Sequence, residues 1–274
     1  MNFSFATLQA SNHATALVAR VNTQIGQAAA LDEQPDGDQA PGQRGEVLLD
    51  QADSFIQLSY DPATNAPKSF AFQANQNLLT PEGQVVVPAG TQSSYSAADG
   101  KESFSLQVPG EGGAVSRQQA TLDNSAGMLL FSDGTAQVEV PFSTLPAAQA
   151  TTALVQKLQL QIAQTAALDE QAGVDLAAGQ PGQVSVQDAG STVSLNVDAV
   201  TGMPKAFAFK AIQSLTAEDG SVVVPAGLET SYERLGLIET FRQDVPTEQG
   251  IIRQQAVLNN AEQTVDFQEF LLNA

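Results

Sequence analysis

The chain has 274 residues, 42% of them hydrophobic, a mean hydropathy of −0.09 and a net charge of −19 from 30 acidic and 11 basic side chains. It contains no cysteine, which excludes a disulfide framework, zinc–thiolate and iron–sulfur sites and a cysteine nucleophile. No apolar run approaches the roughly 20 residues of a membrane span, and an acidic surface repels phosphate, so neither a membrane span nor nucleic acid is expected.

The charge arises from scarce bases and is shared evenly. Residues 1–137 hold 14 acids and 5 bases, and residues 138–274 hold 16 and 6. The 32 glutamines divide 16 and 16. A repeat explains both symmetries. At a spacing of 137, Phe5-Ala6-Thr7-Leu8 meets Phe142-Ser143-Thr144-Leu145, and Leu31-Asp32-Glu33-Gln34 meets Leu168-Asp169-Glu170-Gln171. Likewise Pro67-Lys68-Ser69-Phe70-Ala71-Phe72 meets Pro204-Lys205-Ala206-Phe207-Ala208-Phe209, and Val85–Gly90 meets Val222–Gly227. One residue is then lost, and Arg117-Gln118-Gln119-Ala120 meets Arg253-Gln254-Gln255-Ala256 at 136. The unit is far longer than solenoid or propeller repeats of about 20–50 residues and has the size of a domain. The sequence therefore predicts a tandem duplication, with copies at 1–137 and 138–274.

Each copy opens on a short alternating strand, with Phe3 and Phe5 on one face in the first and Val138, Val140 and Phe142 in the second. A helix follows, marked by Leu17, Val21, Ile25, Ala28 and Leu31 and by Leu154, Leu158, Ile162, Thr165 and Leu168. Ser11 or Thr15 is the expected cap of the first helix, and Thr151 or Thr152 of the second. Residues 54–60 then alternate, Asp61-Pro62-Ala63-Thr64-Asn65 turns the chain, and Phe70-Ala71-Phe72 returns it as a hairpin. Further strands are expected at 84–88, 92–97, 102–108, 114–122 and 127–132, with equivalents 137 or 136 residues later. Pro88 and Pro225 would end their strands. The fold class is α+β, β-dominated: one N-terminal helix per copy on an antiparallel sheet of about seven strands.

Residues with chemistry are few. A single histidine, His13, is expected just before the first helix as a surface or capping residue and lacks the partners of a triad or an imidazole metal site. Asp32, Glu33, Asp169 and Glu170 fall at helix ends, where acids oppose the helix dipole, and form a candidate metal corner with Asp36 and Asp38. The second copy offers Asp175 there. Lys68, Arg117, Lys205 and Arg253 are candidate anchors for a carboxylate ligand, or structural partners of Glu102 and Glu239 or of Asp61 and Asp198. Gly110-Glu111-Gly112-Gly113 reads as a turn, since no Gly-Lys-Ser/Thr follows, and no cofactor is expected.

These features predict a non-enzymatic surface or extracellular structural or adhesion protein of bacterial type, self-associating through strand edges or the opening strand. Its export would be leaderless or follow leader removal; otherwise the chain would be cytoplasmic. The alternative is a binding protein holding a small apolar ligand between helix and sheet, lined by Phe55, Phe70, Phe72 and Phe104. An acid-based hydrolase is a third reading, resting on carboxylate abundance alone.

Overall fold

The computed structural model describes residues 1–34, 38–40, 42–198, 200–217 and 219–272. Strand accounts for 47% and helix for 20%, giving a β-dominated α+β fold with two helices and large antiparallel sheets. The first half runs β1 (Asn2–Ser4), α1 (Phe5–Ala29), β2 (Glu46–Asp50), β3 (Ser54–Tyr60), β4 (Pro67–Ala74), β5 (Leu78–Leu79), β6 (Val85–Val87), β7 (Gln92–Ala98), β8 (Lys101–Pro109), β9 (Val115–Asp123) and β10 (Met128–Ser132). The second half runs β11 (Gln137–Pro141), α2 (Leu145–Ala166), β12 (Gln183–Gln187), β13 (Ser191–Val197), β14 (Pro204–Ala211), β15 (Leu215–Thr216) and β16 (Val222–Val224). It ends with β17 (Glu229–Leu235), β18 (Ile238–Thr247), β19 (Gly250–Asn259) and β20 (Thr264–Leu272).

The chain divides into two units, one of Gln9–Leu145 and one of Met1–Leu8 with Pro146–Ala274. In the first, eight antiparallel strands lie in the order β11-β10-β9-β8-β7-β4-β3-β2. The helix α1 buries Ala14, Leu17, Val21, Ile25 and Ala28, at spacings of three and four, against the sheet. Leu58, Phe70, Phe104, Leu129 and Val140 meet that stripe from alternate positions of their strands. A fully buried Phe or Leu contributes roughly 1.5–3 kcal/mol, so this layer is the main source of the unit's stability. The second unit repeats the plan in the order β1-β20-β19-β18-β17-β14-β13-β12. There α2 lays Leu154, Leu158 and Ile162 on Leu195, Phe207, Phe241 and Val265.

The opening strand of each sequence repeat finishes the sheet built by the other. β11 of the second repeat pairs with β10, Val140 opposite Leu129. β1 of the first repeat pairs with β20, Phe3 opposite Val265. The unit limits accordingly fall eight residues beyond 1–137 and 138–274, in the first turn of each helix.

Several local expectations are corrected. Phe5 begins α1 and Phe142 lies in a 3-10 turn, so each opening strand is shorter than its alternation suggests. The cap of α1 is Ser4, whose Oγ accepts the Thr7 N–H at 3.1 Å, and Ser11, His13 and Thr15 lie inside the helix. Thr151 and Thr152 also lie inside a helix, where their hydroxyls donate to the carbonyls of Ala147 and Ala148. Leu31 and Leu168 fall past the helix ends but pack on the cores. Strand β2 adds an edge strand ahead of the expected 54–60 strand. The stretch around 84–88 pairs only with β5, outside the large sheet, and ends before Pro88. The 61–65 turn forms through Asp61 Oδ1, which accepts the N–H groups of Ala63 and Thr64, with Asn65 at φ 57°.

Candidate functional site

The acidic corner after each helix is organised around backbone N–H groups. Asp32 Oδ2 accepts Gly45 N–H at 3.2 Å and Tyr60 O–H at 2.6 Å, and the Glu33 carboxylate accepts Gly42 N–H at 3.0 Å. In the second copy Asp169 accepts Gly182 N–H at 3.0 Å and Glu170 accepts Gly179 N–H at 2.7 Å. Gly45, at φ 94°, is required: a Cβ there would lie 2.7 Å from the Tyr60 carbonyl oxygen.

Asp38 and Asp175, both buried, go further. Asp38 Oδ1 accepts Ala40 N–H at 2.8 Å and Leu48 N–H at 3.2 Å, and Oδ2 accepts Glu33 N–H. Asp175 takes Ala177 and Ser185 N–H at 2.9 Å each, and Glu170 N–H. Leu48 and Ser185 are the central residues of the edge strands β2 and β12. Gln39 and Leu176 N–H in turn donate to the carbonyls of Leu48 and Ser185. Each loop therefore seals a sheet edge. Burial pushes the Asp38 carboxyl up, but the hydrogen bonds from Ala40, Leu48 and Glu33 outweigh it and hold it below the usual range. The Ser185 N–H bond is the main cause of the same lowering at Asp175.

Asp32 Oδ1 and Asp169 Oδ1 are buried without a partner. One spare oxygen is far from the roughly six to eight that calcium takes. Among the described residues no three His, Cys, Asp or Glu side chains are grouped to hold a metal ion. Asp36 of the candidate corner lies outside the described residues.

The four candidate cations stand apart. Lys68 (β4) and Arg117 (β9) are three strands apart in one sheet, as are Lys205 (β14) and Arg253 (β19) in the other, about 14 Å at the usual strand spacing. Lys205 Nζ lies 2.8 Å from Asp198 Oδ2. Lys68 makes a weaker approach to Asp61, whose carboxyl is lowered first by the Ala63 and Thr64 N–H groups. Arg253 forks onto Asp244 at 2.7 and 2.6 Å, in place of the expected Glu239 or Asp198. Arg117 is exposed and faces Gln107, the counterpart of Asp244.

That difference extends along the sheet face turned away from the helix. In the first copy a cross-strand row runs Gln73, Gln92, Gln107, Arg117, beside a row of Ser94, Ser105, Gln119 and Ser132. In the second copy the first row becomes Lys210, Glu229, Asp244, Arg253, with a Lys210–Glu229 ion pair at 2.7 Å. A shallow depression of about 220 Å³ over Phe55, Gln73 and Gln92 recurs at about 350 Å³ over Thr192, Lys210 and Glu229. Phe55 thus lies on the outer face, while Phe70, Phe72 and Phe104 fill the core, so the four do not line one cavity.

On the helix side, Tyr95 O–H donates to Glu102 at 3.4 Å and Asn124 Nδ2 to the same carboxylate at 3.1 Å. Tyr232, Glu239 and Asn260 repeat this at 3.0 and 2.9 Å. Each tyrosine ring also lies 4.9 Å from a phenylalanine, Phe104 or Phe241. Burial, then Glu102, pushes the Tyr95 hydroxyl up to about 12, and the Tyr232 hydroxyl is raised for the same reasons. Clefts open beside both triads, that of the second copy bounded by Ile162, Pro204 and Phe241. All three positions match between copies in the sequence, Tyr and Glu at 137 and Asn124 with Asn260 at 136, but only the fold brings them together across neighbouring strands and the turn that follows them. His13 packs its ring 5.7 Å from that of Phe131.

No protein-family model and no curated protein sequence matches the chain.

Proposed function

We propose that this chain is a non-enzymatic structural or adhesion-type protein of a cell surface or extracellular setting, assembling with its own kind through duplicated β-rich modules. The observation that carries the reading is the exchange of opening strands: each sheet is finished by a strand from the other repeat. A module of this kind completes itself by receiving a strand, which is the elementary act of β-assembly. The β2 and β12 edges are sealed by the Asp38 and Asp175 loops, which leaves the opposite edges, β11 in one sheet and β1 with the overhanging end of β20 in the other, for joining. Each carboxylate of the two helix-end corners accepts a backbone N–H, in keeping with a structural role. Fractionation of producing cells tests the setting. High-mass material in the surface or extracellular fraction supports it, and single chains confined to the cytosol contradict it.

The second reading, a small apolar ligand beside the helix, is favoured by the cleft of Ile162, Pro204, Tyr232 and Phe241, about 220 Å³ in volume. A co-purifying mass in native mass spectrometry would support it.

A further inference from the structure

The repeated Phe-x-Thr-Leu segment acts as a plug. In the unit Gln9–Leu145, Val140, Phe142 and Leu145 pack on the core. The plug arrives directly from β10, through the turn at Asp133 whose Oδ1 accepts the Thr135 and Ala136 N–H groups. In the other unit, Phe3, Phe5 and Leu8 occupy the equivalent places. This plug comes from the far end of the chain, Asn2 pairing with Asp266. Its strand pairs over three residues, where β11 pairs over five. The Met1 N-terminus adds a bond to the Phe267 carbonyl, and Phe267 N–H donates back to Met1 at 2.8 Å. Past that point Gln268–Leu272 pairs only with β19, and Phe270 and Leu271 are 39% and 46% exposed.

We propose that β20 also accepts the β1 plug of a second copy of this chain, so that copies link head to tail. This rests on the assembly reading and names its contact. Within one chain the second repeat already completes the repeat that precedes it. The first repeat completes the last. A linked pair makes the same backbone ladder and buries the same Phe3, Phe5 and Leu8 as a closed chain. Concentration and the entropy of closure then set the balance, as in other exchanges of identical elements.

The absence of cysteine makes the test clean. Asn2 and Asp266 face each other between the hydrogen-bonded pairs of β1 and β20, the closely spaced class of position, about 4.5 Å between Cα atoms, that a disulfide spans. Full-length Asn2→Cys and Asp266→Cys chains are unfolded together, refolded at increasing concentration and oxidised. The expected product is a mixed disulfide containing one chain of each kind, growing with concentration. It should be lost when Asn22→Cys, on the exposed part of α1, replaces Asn2→Cys. The proposal is overturned if no mixed disulfide forms at any concentration while the double variant Asn2→Cys with Asp266→Cys closes within its own chain. Growth of the unmodified protein into larger particles without that disulfide would also overturn this contact, while leaving the broader assembly reading in place. A single-chain mass throughout would remove both.

Discussion

Asp38 Oδ1 accepts the N–H of Leu48, the middle residue of the edge strand β2, at 3.2 Å, and Asp175 repeats the bond to Ser185 of β12 at 2.9 Å. An edge N–H that would otherwise offer itself to another strand is thereby closed by a buried carboxylate. Both carboxyls are held below their ordinary value, so they are ionised in the folded chain at pH values where the unfolded chain already takes up protons. The stabilisation is complete above the unfolded pKa of about 4 and is lost as pH falls through the lower folded values. Thermal melting from pH 7 to pH 3 should show the midpoint dropping below about pH 4. The double variant Asp38→Asn with Asp175→Asn should melt lower at pH 7 and show a shallower acid slope.

Phe3→Ala should act at the other end of the chain. Phe3 is 8% exposed and packs on the core of the unit containing Pro146–Ala274. Truncating a buried phenylalanine costs about 3–5 kcal/mol, the lower figure fitting a short edge strand. Hydrogen exchange should show lost protection in β19 and β20, with β9 and β10 unchanged. Equal losses in β9 and β10 would contradict the pairing of β1 with β20.

The two copies should respond differently at one matched position. Arg253→Met leaves the buried Asp244 without its fork and should cost about 2–3 kcal/mol in denaturant unfolding. Arg117→Met, at an exposed site facing Gln107, should change stability by less than about 0.5 kcal/mol.

All three tyrosines should resist ionisation. Tyr60 is raised chiefly by its bond to Asp32, and Tyr95 and Tyr232 by burial and then by Glu102 and Glu239. Raised folded values contribute stability that is complete below about pH 10 and lost as pH rises through them, near 12 for Tyr95. Tyrosinate absorption should therefore stay low at pH 11 and appear together with loss of the fold.

The duplication, both helices and most strands were legible in the sequence because repeated motifs and periodicity are local. Strand β2 was not. Glu46-Val47-Leu48-Leu49-Asp50 buries only Val47 and Leu49, too short an alternation to stand out from the polar loop before it. The alternation of Phe3 and Phe5 suggested a strand, but its partner lies more than 260 residues away, and nothing local encodes such a pairing. Asp32, Glu33 and Asp38 stood out as acids at a helix end, where the dipole disfavours them. Their partners, the Leu48, Gly42 and Gly45 N–H groups, are brought to them by the loop, which no local pattern encodes. The pairing of Arg253 with Asp244 was hidden by register, since the two face each other across β18 and β19.

The most direct test of assembly is the mass of the purified full chain, by light scattering, over a broad concentration range. Particles that grow from 28.6 kDa into regular multiples as concentration rises are the expected result. A constant 28.6 kDa species at every concentration would contradict the proposed structural role.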